Sequence, residues 1–318
     1  NKALDASSAM RDTVASVVFP LFYQLPSHHS PVPGGFFTAS QRRTIMGRQV
    51  IRQTPKPMPT PAAVLAANKG LPKPFLVAGS RGTSANENRL PRFDIHGTYR
   101  LVDTDLAAFG DKHLIIFIPG YNNTTAETLS SAASFFALLH SSLLRENRVD
   151  LDDISFVLFT WPGDVGTVYF NDAQEYAHHS GTALYRLISD IGPRPKNTIS
   201  VVAHSVGAHV GLRAFSILGE RNFHQRQFIR VDRALLLAAA VEDDAFHRPE
   251  RREEYHFPEA AFGLRQLHMV VSRGDEVLSG AFRINETDRA LGYNGPESME
   301  PLVSLARRVQ EVLGACRT

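Results

Sequence analysis

The sequence contains a single cysteine, Cys316. One thiol excludes an intramolecular disulfide, gives no sign of a structural zinc site and, in its isolated position, suggests nothing catalytic. Long apolar runs are missing as well. The longest early stretch, Val14 to Leu25, is interrupted by Pro20 and Gln24 and falls short of the ~20 residues a spanning helix needs, so no membrane span is expected. The pairs His28-His29 and His178-His179 lack metal-ligand spacing with carboxylates, so no metal site is expected and exposed polar roles suffice for them. No histidine follows His268. The chain begins at Asn1 rather than Met, which leaves a secretory leader undecided and the localisation open.

What is present is the composition of an ordinary globular protein: 318 residues, 43% hydrophobic and 21% charged, enough to bury a full-sized core. The net charge of +2 conceals an asymmetry, because residues 1–75 carry nine Lys or Arg against two acids and leave the remainder at −5. Ten of the 19 prolines fall in the same region, including the alternating run Thr54-Pro55-Lys56-Pro57-Met58-Pro59-Thr60-Pro61, which favours extended polyproline II. Residues 1–90 are therefore expected to form a partly irregular basic arm, acting as a linker or hugging the surface. Without an aromatic-interleaved basic motif, no nucleic-acid partner is expected; an anchor on anionic lipid or nucleic acid is the alternative.

From about residue 95, short aliphatic runs alternate with longer amphipathic segments, the pattern of parallel strands crossed over by helices. Strands are expected at His113–Ile118, Ile154–Trp161, Thr198–Ala203, Ala234–Ala240 and Leu267–Ser272, all apolar on both faces and so buried in mid-sheet. Helices are expected at about Thr125–Arg145, opened by a Thr124/Glu127 capping box, at Asp172–Ile191, from just after Ser205 to about Gly219, and at Glu300–Leu313. The fold class is α/β: a doubly wound, mostly parallel sheet flanked by helices over residues 91–318.

The most specific signal is Ala203-His204-Ser205-Val206-Gly207, lying between a buried strand and a helix. A nucleophile elbow needs small residues two before and two after the serine because the turn is tight, and Ala203 and Gly207 supply them. The plain alternative is a serine that caps a helix. The second signal, Pro119-Gly120-Tyr121-Asn122-Asn123, follows an earlier strand, where an oxyanion loop belongs. A tetrahedral oxyanion needs two preorganised N–H donors, and the amides of Val206 and Tyr121 are the candidates. An ordinary turn is the alternative there.

With Trp161-Pro162-Gly163-Asp164, these pieces resemble a bacterial α/β-hydrolase family of unassigned function. Its members carry a His-Gly-Tyr-Asn-Asn loop, a Trp-Pro segment and an Ala-His-Ser-Met-Gly elbow. The resemblance runs from about residue 95 to Ala290–Pro296, with Pro119 standing where the family has the loop histidine. It implies an α/β-hydrolase fold and a serine hydrolase of esterase or lipase type, taking a small-molecule ester or acyl substrate with no cofactor. Asp275, after the strand expected at Leu267–Ser272, is the candidate triad acid by chain order, with Glu242, Asp243 and Asp244 competing. A base is missing after Asp275. It is expected beyond Thr318 together with a last strand; His247 or His256 reaching in from a lid is a second arrangement, and a non-catalytic binding module that keeps the elbow as scaffold is a third. His204 and His209 flank Ser205 and are expected to be structural. Gly120, Asn122, Trp161 and His204, with Tyr169 and Phe170, are the pocket candidates.

Overall fold

The computed structural model describes residues 53–82, 98–109, 112–146, 150–166, 169–192, 198–225, 229, 231–247, 255–272, 278 and 289–298. The chain separates into two units, Asn1–Val50 and Ile51–Thr318, and every described residue belongs to the second. In chain order its elements are α1 (Pro61–Asn68), β1 (Phe75–Gly79), β2 (Arg100–Leu101), β3 (His113–Ile118), α2 (Thr125–Glu146), β4 (Ile154–Thr160), α3 (Phe170–Ile191), β5 (Ile199–His204), α4 (Gly207–Gln225), β6 (Val231–Leu237), β7 (Leu264–Val270) and the single turn α5 (Leu291–Asn294). The strands form one seven-stranded sheet in the order β2-β1-β4-β3-β5-β6-β7. Every pairing is parallel except the edge pair β1–β2. This is the doubly wound α/β architecture expected from the sequence.

Side-chain alternation along the strands builds two cores. One face of β3, β4 and β5, with Ile116, Phe159 and Val201, packs under α3 and α4. The other, with Phe117, Phe156 and Val202, packs under α1 and α2. Strand β4 is buried along its whole length because helices cover both faces. Phe136 of α2 stacks on Phe156 of β4 at 4.8 Å, and truncating such a buried ring to alanine costs about 3–5 kcal/mol. Helix α2 starts at the expected capping box: the Thr124 N–H donates to Glu127 Oε2 at 2.8 Å, and the Glu127 N–H returns to Thr124 Oγ1 at 3.3 Å.

Four expectations shift. Phe75–Gly79 lies inside the segment expected as an arm, yet it enters the sheet as β1 beside β4. Five apolar residues directly after a proline-rich segment give little periodicity to read. β6 starts and ends three residues before its expected span, because Ala238, at φ 45°, turns the chain out of the sheet. Strand β7 likewise begins at Leu264, where Arg265 pairs with Asp232 at 3.3 Å and Gln266 accepts from Arg233 at 3.3 Å across to β6. Helix α4 runs past Gly219, whose missing side chain admits the Glu259 carbonyl: a Cβ there would be 2.0 Å from its oxygen. The helix expected at Glu300–Leu313 lies outside the described residues.

The strand order places a crevice. The chain leaves β3 through α2 on one face of the sheet and leaves its neighbour β5 through α4 on the other. Where adjacent parallel strands send their connections to opposite faces, the loops at their carboxyl ends part, and ligands of such sheets bind there. The loops that part are Pro119–Asn123 and the turn containing Ser205. Among the described residues, no helix is long and apolar enough to cross a membrane.

Candidate active site

Ser205 stands between the end of β5 and the first turn of α4, with φ 53°. An L-residue in the left-handed region is sterically costly, and such strain persists only where the surroundings hold it. Two bonds do so: the Ser205 N–H donates to the Leu237 carbonyl of β6 at 2.9 Å, and the Ser205 carbonyl accepts from the Ala208 N–H at 3.0 Å. The half-buried side chain is thereby placed over the N-terminus of α4, whose partial positive charge favours negative charge nearby. Gly207 allows the helix to start so close to the sheet, since a Cβ on it would stand 2.5 Å from the Pro119 carbonyl oxygen and 3.0 Å from that of Ile118.

The register Ile118↔Ala203 sets the loop after β3 directly beside this turn. A Cβ on Gly120 would lie 2.9 Å from His204 Nδ1 and 3.1 Å from Ser205 Cβ, so the loop crosses the serine at backbone contact distance. Asn122, at φ 60°, reverses the chain so that its N–H donates to the Gly163 carbonyl at 3.0 Å. Among the described residues, no acceptor engages the backbone N–H of Tyr121 or of Val206. These are the two donors expected for an oxyanion.

The segment after β4 supports the loop from beneath. Trp161, 1% exposed, donates from Nε1 to the Pro119 carbonyl at 2.9 Å. The Tyr121 hydroxyl donates to the Gly166 carbonyl, and its ring meets Phe170 edge-on at 5.9 Å. Burial pushes the Tyr121 phenol up to about 12, so it stays neutral. Behind the loop lies a residue that sequence reasoning did not single out. Arg81, just past β1 and 1% exposed, donates to Asp164 Oδ1 at 2.6 Å, Thr160 Oγ1 at 2.9 Å, the Lys56 carbonyl at 2.8 Å and the Asn123 carbonyl at 3.3 Å. The signal that could have found it is an arginine between Ser80 and Gly82, directly after an apolar run, where a surface role has no helix or strand face to sit on.

Of the remaining candidates, His204 is exposed at the end of β5. His209 is fully buried, edge-on to Tyr255 at 5.6 Å and Phe257 at 5.9 Å, and burial lowers it to about 4. Its place is in the packing between helix and loop. His256 Nε2 lies 3.2 Å from Asp244 Oδ2, while His247 Nδ1 lies 3.6 Å from Glu297 Oε2. Asp243 and Glu242 belong to the same loop, where the Asp243 N–H donates to the Arg289 carbonyl at 2.8 Å and Glu242 bridges to Ala290. Burial, with Glu297 nearby, raises the Asp243 carboxyl. Asp275 lies outside the described residues.

An uncharacterised protein of Nostoc sp. (strain PCC 7120), alr1448, is 31% identical over 114 residues, covering 31% of this chain and 30% of that protein. The chain thus matches less than a third of its curated relative's length. A solved structure, provisionally described as a cell surface hydrolase from Lactobacillus plantarum WCFS1, matches with 14% identity and a TM-score of 0.30, over 64% of this chain and 92% of the other. The family model described as "Alpha/beta hydrolase of unknown function" (DUF900) matches residues 98–308, two thirds of the sequence and all of the loop, Trp-Pro and elbow segments, and the chain belongs to that family.

Proposed function

We propose that this chain is a serine hydrolase that cleaves a carboxylic ester through an acyl-enzyme. The observation carrying the reading is the left-handed Ser205 at a strand–helix junction, crossed by a loop at backbone contact distance. Ser205 Oγ attacks the ester carbonyl. The oxyanion that forms accepts from the Tyr121 and Val206 amides, which hold still because their neighbours are bonded to the segment after β4 and to α4. The alcohol leaves with a proton from the base, water attacks the acyl group, and Ser205 is regenerated.

For the acid, chain order supports Asp275. A second reading rests on the 3.2 Å contact of His256 with Asp244, since Ser205, Asp244 and His256 also run in the order of this fold. Hydrolysis of short-chain nitrophenyl esters tests all of this. Ser205→Ala is expected to abolish the rate, and an unchanged rate would overturn the proposal in favour of a binding module. His256→Gln tests the second reading: loss of kcat assigns His256 as the base, and retention excludes it.

A further inference from the structure

The Arg81 cluster asks for an explanation that stability does not supply. Removing a guanidinium and a carboxylate from water costs several kcal/mol per ion, and a well-packed apolar pair of similar volume is often as stable or more so. A buried ion pair is therefore weak support for the fold itself. What distinguishes this pair is where its remaining hydrogen bonds go.

Arg81 Nη1 and Asp164 Oδ1 are 2.6 Å apart, with side-chain exposures of 1% and 3%. The second Asp164 oxygen accepts from the Lys56 N–H at 2.9 Å, while the Lys56 carbonyl accepts from Arg81 at 2.8 Å. Lys56 therefore straps the pair with its backbone, on a segment whose Pro55 and Pro59 are buried. The next carbonyl along, Pro57 O, takes the Thr125 hydroxyl at 2.9 Å in the first turn of α2. The guanidinium's other end reaches the Asn123 carbonyl at 3.3 Å, and Asn123 Nδ2 donates back to the Gly120 carbonyl at 3.1 Å and the Tyr121 carbonyl at 3.3 Å. The strap thus reaches the residues just after the turn that crosses Ser205, and the guanidinium reaches the turn itself through Asn123.

We propose that Arg81 is a positioning residue: locked to Asp164 and strapped by Lys56, it fixes the Gly120–Asn123 turn and so aims the Tyr121 amide at the oxyanion. The proposal rests on the serine-hydrolase reading of the site. Guanidinium suits the task because its planar fork reaches several acceptors at fixed angles, whereas an ammonium is a point charge on a flexible stem. The proline-rich piece at 53–61 is then part of the active-site scaffold.

The test uses the full chain and Arg81→Lys, which keeps the charge beside Asp164 but loses the fork. In nitrophenyl-ester kinetics kcat is expected to fall about 10- to 100-fold with KM within about twofold, the signature of an interaction made in the transition state. In hydrogen exchange, amides at 120–123 are expected to exchange faster, while those of β5 do not change. Arg81→Met with Asp164→Leu removes both charges together, avoids a lone buried ion, and is expected to give the same split. Wild-type kcat, or unchanged exchange at 120–123, in a folded variant would overturn the proposal. A Ser205→Ala protein as active as wild type would sink the hydrolase reading instead, and the exchange result would still decide whether Arg81 holds the turn.

Discussion

Gly207→Ala perturbs the elbow by one methyl group. The added carbon would sit 2.5 Å from the Pro119 oxygen. An ordinary carbon–oxygen approach is about 3.3 Å, so α4 and the end of β3 must part by roughly 0.8 Å. Overpacking of this kind costs about 1–3 kcal/mol, and helix propensity returns at most about 1 kcal/mol, so a net loss of up to about 3 kcal/mol is expected. The same displacement separates the Tyr121 amide from Ser205. A misplacement near 1 Å costs up to about a hundredfold in rate, so kcat should fall by one to two orders of magnitude. Urea unfolding reads the first effect and ester hydrolysis the second. A Gly207→Ala protein with the wild-type midpoint and kcat would refute the idea that close approach of helix and loop sets the site.

Trp161→Phe removes the 2.9 Å bond to the Pro119 carbonyl and leaves a buried acceptor bare; a loss of about 1–3 kcal/mol in urea unfolding is expected, together with a lower kcat. Thr124→Ala opens the capping box of α2 and should cost about 1 kcal/mol by the same assay. His209 has a pKa of about 4 when folded against an ordinary 6.5, so only the unfolded chain binds its proton between those values. Its contribution is complete above about pH 6.5 and falls by about 3 kcal/mol as the pH drops through that window. Burial lowers His178 to about 3, which acts in the same direction. His209→Phe should flatten the acid limb of a stability–pH curve measured between pH 7 and 4, and two superimposable curves would exclude His209 as the source.

The legible parts of this protein were those whose signals are local. His113–Ile118 and Ile154–Thr160 are short, mostly apolar runs that each follow a charged residue, and they became β3 and β4 within a residue of expectation. Thr124 and Glu127 are three residues apart, so the cap could be read directly. The ends of β6 and β7 were not legible. Ala238, Ala239 and Ala240 continue the apolar run and carry no stop signal, yet β6 ends where Ala238 turns at positive φ. Strand β7 starts where its partner supplies Asp232 and Arg233, which a reading of its own residues does not include.

By itself the sequence determined the α/β class, the parallel core strands and the serine with its flanking small residues, because periodicity and turn sterics act over a few neighbouring positions. Only the tertiary structure decided what surrounds that serine. It drew Phe75–Gly79 into the sheet, set the Gly120 turn across Ser205, and buried Arg81 against Asp164, 83 positions away, under a strap from Lys56. Contacts between residues so far apart in the chain leave no periodic trace. They arise when the β3–β5 register and the opposite-facing helices bring separate loops to one end of the sheet. The chemistry proposed at Ser205 depends on that convergence, since an oxyanion needs donors fixed from two loops at once.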